Sequence, residues 1–224
     1  MADLIDTYWL YFLVGQYPHG PLGGLALTLI LASLGLLLAL PLGVALGVAR
    51  LSPRRWLRGP VTGLVYVVRG TPLLMVVFWA YFALPAVTGQ KTDQFSTMLC
   101  ALVLFDAVYL AEIVRSGLLA LPAGQLEAAQ SLGMSRGQAL RWVLLPQALR
   151  HMLPSLVSQF VSTIKETSLG TIIGLSELSY IANQINAQVL VKPVEIYLTL
   201  GGTYFLLCFG LTRLAYALER RLAP

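Results

Sequence analysis

Among the ionisable side chains inside otherwise apolar runs of this 224-residue sequence, five could do chemistry: Arg69, Asp106, Glu112, Lys165 and Glu166. A charge at membrane depth is costly, so such groups pair with one another, face a polar cavity or bind a polar solute. Three carboxylates against two cations suit a zwitterion: the carboxylates take a positive group, and Arg69 or Lys165 takes a negative one. Thr71, Thr167 and Ser168 can add neutral hydrogen bonds. Each charge also has a plainer reading. Arg69 can snorkel from the end of its segment or pair with Glu112. Glu112 and Arg115, at i and i+3, can satisfy each other, and Asp106 can sit in a structural hydrogen bond. Lys165 and Glu166 are adjacent and diverge on a helix, so one of them needs a partner elsewhere.

A different kind of chemistry is written into Gly124 to Pro146, GQLEAAQSLGMSRGQALRWVLLP, a polar stretch between oily ones. Its helix formers, Gln125 to Leu132 and Gln138 to Leu145, are interrupted only around Gly133 to Gly137. The stretch therefore reads as two short helices joined by a glycine-hinged turn, a shape suited to docking. Nothing nearby supplies energy. The sequence has no phosphate-binding glycine loop ending in Gly-Lys-Ser/Thr and no Gly-x-Ser-x-Gly. Its two histidines, His19 and His151, fall on opposite sides of the membrane by the topology below. Cys100 and Cys208 are far apart in apolar runs and read as small packing residues.

The elements that must position these residues are membrane helices. Apolar residues make up 57% of the chain, against 11% charged, a balance far from that of a soluble domain. The uncharged stretch Gly20 to Ala49 exceeds the roughly 20 residues a span needs. Five spans are expected, at about residues 22–49, 61–87, 97–119, 152–175 and 196–217, with a polar loop at 120–150, all in one transmembrane domain over 1–224. Gly43 and Gly47 form a weak small-residue packing signal in the first span. The first 20 residues carry Asp3 and Asp6 but no Lys or Arg, place Trp9 and Tyr11 like interfacial aromatics, and do not resemble a signal peptide. Arg50, Arg54, Arg55 and Arg58 crowd the first loop; Arg136, Arg141 and Arg150 lie in or beside the polar stretch; Arg220 and Arg221 follow Glu219 in the tail. The second and fourth loops hold one lysine each. By the positive-inside rule the N-terminus is outside and the C-terminus cytoplasmic, as an odd number of spans requires. The net charge of +5 is then a topology signal and an attraction to anionic lipid, with no call for nucleic acid.

With the polar stretch on the cytoplasmic face, its spacing carries a resemblance. Glu127-Ala128-Ala129, three residues, Gly133, nine residues, then Val143-Leu144-Leu145-Pro146 resembles the EAA loop of ATP-binding-cassette importer permeases, which more often have isoleucine where Val143 stands. Arg69-Gly70-Thr71-Pro72-Leu73-Leu74, Tyr109 to Gly117, Pro122-x-Gly124-Gln125 and Glu166-Thr167-Ser168-Leu169 are similar to the polar amino acid branch of that family, in matching order from about Gly23 onward. The resemblance implies an all-α polytopic fold of five spans, the type I importer permease core with a cytoplasmic coupling helix, in the bacterial inner membrane. It implies a second permease chain, identical or different, and a cytoplasmic ATPase dimer that binds ATP and Mg, this chain holding no cofactor. An extracytoplasmic binding protein would deliver the solute.

In that scheme Glu127, Ala128, Ala129, Gly133 and Pro146 belong to the coupling joint. Glu127 makes a charge-assisted contact with the ATPase, the alanines keep the docking face small, and Gly133 permits the turn. A plain helix-start carboxylate favoured by the dipole is the other reading of Glu127. The pathway residues would be Arg69, Asp106, Glu112, Lys165, Glu166, Thr167 and Ser168, with an amino acid site at the midplane built from Glu112, Glu166, Asp106 and Arg69. Asp106 stands where the family more often has a small polar residue. The rival readings are a proton-coupled carrier or channel using Asp106, Glu112 and Glu166, an enzyme of lipid-linked substrates, and a purely structural subunit.

Overall fold

The computed structural model describes residues 2–89 and 91–222. The side chains of Asp3, Glu219 and Arg221, counted in the charge pattern above, lie outside the described set. The secondary structure is helical: α1 (Ala2–Val14), α2 (Gly24–Arg50), α3 (Arg55–Gly70), α4 (Leu73–Phe78), α5 (Leu84–Thr88), α6 (Gln94–Leu119), α7 (Gly124–Ser131), α8 (Arg136–Ala139), α9 (Leu145–Glu166), α10 (Leu178–Val189) and α11 (Pro193–Leu222). Among the described residues three helical segments, Gly24–Arg50, Gln94–Leu119 and Pro193–Ala217, are long and apolar enough to cross a membrane.

The expected second span is broken. α3 meets the α4–α5 segment at 97°, and only together are they apolar and long enough to span. The break falls at Thr71-Pro72. A residue before proline is pushed out of the helical region, and Thr71 is extended at φ −102°, ψ 130°. Farther on, the Leu84 N–H reaches back five residues to the Trp79 carbonyl. Pro85 has no N–H to give and its ring crowds the carbonyl four residues before it, so the turn ahead of it widens. Pro146 does the same in the polar stretch, where the Leu145 N–H bonds to the Leu140 carbonyl. The helix thus continues from α8 through a widened turn into α9.

α2 and α6 form the tightest pair. A methyl group added at Gly43 would lie 2.5 Å from Leu110 Cβ, and one at Gly47 would lie 2.8 Å from the Ala111 carbonyl oxygen. The small residues therefore do bring two backbones together. Gly35 lies against Leu102, Gly43 against Leu110 and Gly47 against Val114, so the two helices run parallel. The chain between them must return, and α4–α5 does so: Arg69 stands by Glu112 at one end, and the Tyr81 carbonyl accepts from Thr92, just ahead of α6, at the other. α9 opposes α6, with Met152 against Gly117 and Thr163 against Asp106. α11 opposes α9 in turn, its Tyr204 near Glu177 and its Thr212 and Tyr216 beside Pro154 and Ser155.

At the end of the bundle where α2 begins, a cap closes the fold. It holds α1, a tight 3-10 turn (Thr167–Ile173) that ends α9, and α10. The Gly24 N–H donates to the Ser176 carbonyl (2.9 Å) and the Leu178 N–H to Thr28 Oγ1 (3.1 Å). Phe12, Leu178, Ile181, Ile185 and Ile196 pack beneath. The fourth loop, residues 176–195 in the sequence reading, is therefore largely the helix α10. Its amide-rich sequence hid a buried Leu178/Ile181/Ala182/Ile185 face, spaced as a helix requires.

Candidate functional site

The polar stretch folds as a hairpin. α7 ends at Ser131, and Gly133 turns the chain at φ +84° with open space around its Cα. The Gly133 requirement is therefore one of backbone conformation, which L residues reach only with strain. Ser135 then opens α8 with a capping box. Its hydroxyl accepts from the Gln138 N–H (3.3 Å), and the Gln138 side chain accepts from the Ser135 N–H (2.8 Å), an N-terminus signature that the sequence reading passed over. Gln147 on α9 donates to the Gln125 side chain on α7 (3.4 Å) and to the Val143 carbonyl (2.9 Å), bracing the hairpin against the long helix.

Glu127 and Ala128 are exposed, whereas Ala129 is buried at 4% exposure. The smallness of Ala129 thus serves packing inside the hairpin, not an outward face as expected. Leu132, 82% exposed, was not singled out from the sequence and stands on the same short element. Pro146 is exposed and fixes the widened turn described above.

The intramembrane charges divide into two groups. Glu112 accepts from Arg50 Nη1 at 2.6 Å, from Arg115 Nε at 3.0 Å and from Arg69 Nη1 at 3.5 Å. Arg69 lies over the Tyr109 ring at 5.1 Å, and Arg50 over Tyr66 at 5.8 Å. Arg50 is nearly buried, although in the sequence it stands with the topology-setting loop arginines. Its place as the last residue of α2 turns it inward. We expect Glu112→Ala to lower stability by about 2–3 kcal/mol, less than for a fully buried pair because Glu112 retains some exposure. Thermal unfolding of the purified chain in detergent measures it, and an unchanged melting temperature would show the ion pairs to be incidental.

The second group surrounds Asp106, which is fully buried. It accepts from Gln159 Nε2 at 2.8 Å and from Thr163 Oγ1 at 2.9 Å. Glu166 lies within electrostatic range of Asp106, and its Oε2 is buried with no hydrogen-bond partner. Lys165 is exposed. Thr167 donates to the Ile164 carbonyl and Ser168 to the Lys165 carbonyl, so both hydroxyls terminate α9. A cavity of about 390 Å³ lies between α9 and α11, lined by Ser155, Ser158, Gln159, Ser162, Thr212 and Tyr216 among others. The sequence reading missed this stripe, although 155, 158, 159 and 162 follow a helical period that exposes one polar face.

It also missed Glu177, fully buried at the start of α10. Its carboxylate accepts from the Ser179 and Tyr180 N–H groups and the Tyr204 hydroxyl. Burial outweighs those bonds and pushes its pKa up to about 7.

A helical membrane bundle with a braced polar hairpin at one end and buried carboxylates within fits a permease-type subunit of a transport system. The chain belongs to the family described as binding-protein-dependent transport system inner membrane component, which it matches over residues 39–224, and it is a multi-pass inner-membrane protein. It is similar to the probable glutamine ABC transporter permease protein GlnP of Bacillus subtilis (strain 168), 38% identical over 86% of this chain and 84% of that one. It is also similar to the inner membrane amino-acid ABC transporter permease protein YhdY of Escherichia coli (strain K12), 36% identical over 96% of this chain, which spans 61% of that longer protein. Among solved structures, an amino acid ABC transporter with histidines matches at a TM-score of 0.80 and 31% identity, covering 88% of this chain and 92% of that one.

Proposed function

We propose that the chain is the permease subunit of an ATP-binding-cassette importer that moves a polar amino acid into the cytoplasm by alternating access. The observation that carries this reading is the continuous helix from Arg136 through the widened turn to Glu166. At about 1.5 Å per residue it is a lever of roughly 46 Å. One end is braced to α7, which presents Glu127 and Ala128 and is followed by the exposed Leu132. The other holds Gln159 and Thr163 on Asp106, with Glu166 beside them. Displacing α7 therefore moves the groups around the buried carboxylate.

The alternating helix directions support five crossings: α2, α3 with α4–α5, α6, α9 and α11. Arginines at the Arg50 end and in the hairpin put that end in the cytoplasm and the cap outside. In this reading ATP and Mg bind a separate ATPase dimer that grips α7, a second permease chain completes the pathway, and an extracytoplasmic amino acid-binding protein meets the cap. The solute site centres on Asp106, Glu166 and the serine-lined cavity, with Lys165, Thr167 and Ser168 at its outer edge. Arg69 and Glu112 form a gate-side ion pair. The amino acid class rests on the names of the relatives and on the carboxylates available for an ammonium group.

The test is co-purification of the tagged chain from its native membrane, with subunits read by mass spectrometry, followed by ATP hydrolysis in vesicles. An ATPase and a second permease chain, with hydrolysis stimulated by an amino acid and its binding protein, are expected. Uptake that follows a proton gradient and ignores nucleotide would overturn the reading in favour of a carrier.

A further inference from the structure

The cluster around Glu112 holds more positive charge than its pairing needs. Three guanidinium groups, Arg50, Arg69 and Arg115, converge on one carboxylate, leaving two charges uncompensated. Arg50 is 8% exposed, and its Nε is buried with no acceptor. An interior guanidinium with an idle donor is costly unless an anion answers it. Arg69 reaches the surface, its side chain 36% exposed, so the cluster opens on one side.

Depth and surroundings define that side. α6 has 26 residues, about 39 Å at 1.5 Å per residue, against roughly 30 Å of hydrocarbon. Glu112 is seven residues from the end of the helix at Leu119; with α6 centred on the bilayer it lies about 6 Å inside the hydrocarbon boundary, within reach of an arginine side chain. α3 runs beside it, bent away from α4 at 97°. Arg55 and Arg58 mark its start, and Trp56, Leu64, Tyr66 and Val67 are well exposed along it. Basic residues beside exposed aromatic and aliphatic side chains suit the boundary between headgroups and hydrocarbon, where this part of the crossing begins. Basic pockets between helices on the cytoplasmic side take anionic headgroups.

We propose that Arg50, Arg69 and Arg115 form a phosphate-binding site occupied by the headgroup of an anionic phospholipid. Its acyl chains lie along Leu64 and Val67 of α3. The guanidinium forks match phosphate oxygens at two points. Occupancy neutralises the excess charge and pins the bend between α3 and α4 to the end of α2. The assignment rests on the topology proposed above, which puts this end of the bundle at the cytoplasmic leaflet.

Native mass spectrometry of the full-length chain in detergent tests it, with phosphatidylglycerol, phosphatidylcholine and inorganic phosphate offered in turn. Wild type is expected to retain phosphatidylglycerol in preference to phosphatidylcholine, and Arg69→Gln to weaken that retention by about tenfold. Arg54→Gln removes the same charge from the exposed neighbouring loop and is expected to change retention by less than about twofold. A parallel melting curve shows that each variant is folded, and phosphatidylglycerol should raise the melting temperature of wild type but not of Arg69→Gln. Equal losses in the two variants would mean diffuse attraction and overturn the site. Protection by inorganic phosphate equal to that by phosphatidylglycerol would overturn the lipid source. Labelling of a cysteine introduced at Ser52 from one face of sealed vesicles reads the topology separately, so a failed topology and a failed lipid site give different results.

Discussion

Gly133→Val is expected to abolish solute uptake while ATP hydrolysis by the assembled transporter continues, and Gly133→Asn is expected to keep most of both. The two substitutions differ in backbone preference. Gly133 sits at φ +84° with nothing within 4 Å of an added Cβ, so neither side chain meets an obstacle. An L residue in the left-handed region costs roughly 1–2 kcal/mol; a β-branched one is a genuine outlier there, whereas asparagine is enriched. Valine would instead move the turn, shifting α7 relative to α8 and loosening the Gln125–Gln147 brace. Force applied at Glu127 would then be lost before α9. Uptake and hydrolysis measured on the same vesicles decide it. Full uptake by Gly133→Val would count against the hairpin as the coupling joint.

Asp106 separates charge from structure. Asp106→Ala leaves the Gln159 amide without its acceptor and the buried Thr163 hydroxyl with only the Gln159 carbonyl, at a cost of about 1–3 kcal/mol. It should therefore lower the melting temperature together with uptake. Asp106→Asn can accept from Gln159 through Oδ1 and donate to Thr163 through Nδ2, so the fold should hold. If the carboxylate holds the ammonium group of the solute, losing one charge-assisted bond of about 1.5–3 kcal/mol raises the KM by ten- to a hundredfold. Normal transport by a stable Asp106→Asn would assign the residue to packing alone.

Much of this was legible in the sequence because the signals are local. Apolar run length placed α2, α6 and α11, and the Gly43 and Gly47 spacing marked the face of α2 that packs, though not its partner. The hairpin followed from a polar interval of good helix formers around one glycine. What failed to show was whatever depends on a neighbour. Arg50 read as a loop charge until α2 carried it inward onto Glu112, 62 positions away. The Thr71-Pro72 break was visible as a motif, but a 97° bend requires knowing what α3 lies against. The span expected at 152–175 ends as helix α9 at Glu166, and its serine face makes sense only with α11 opposite. α10 looked like a loop because four amides interrupt it, while Leu178, Ile181, Ala182 and Ile185 share one buried face.

The widened turn at Leu140–Leu144 has a consequence for robustness. Most mechanical joints in proteins are held by contacts that salt, acid or heat can loosen. This one is favoured by a missing hydrogen: Pro146 has no N–H in any state of the molecule, so the bond a regular helix would make there is absent at every pH and ionic strength. A bias toward the offset between the hairpin and α9 is thereby written into the covalent chain.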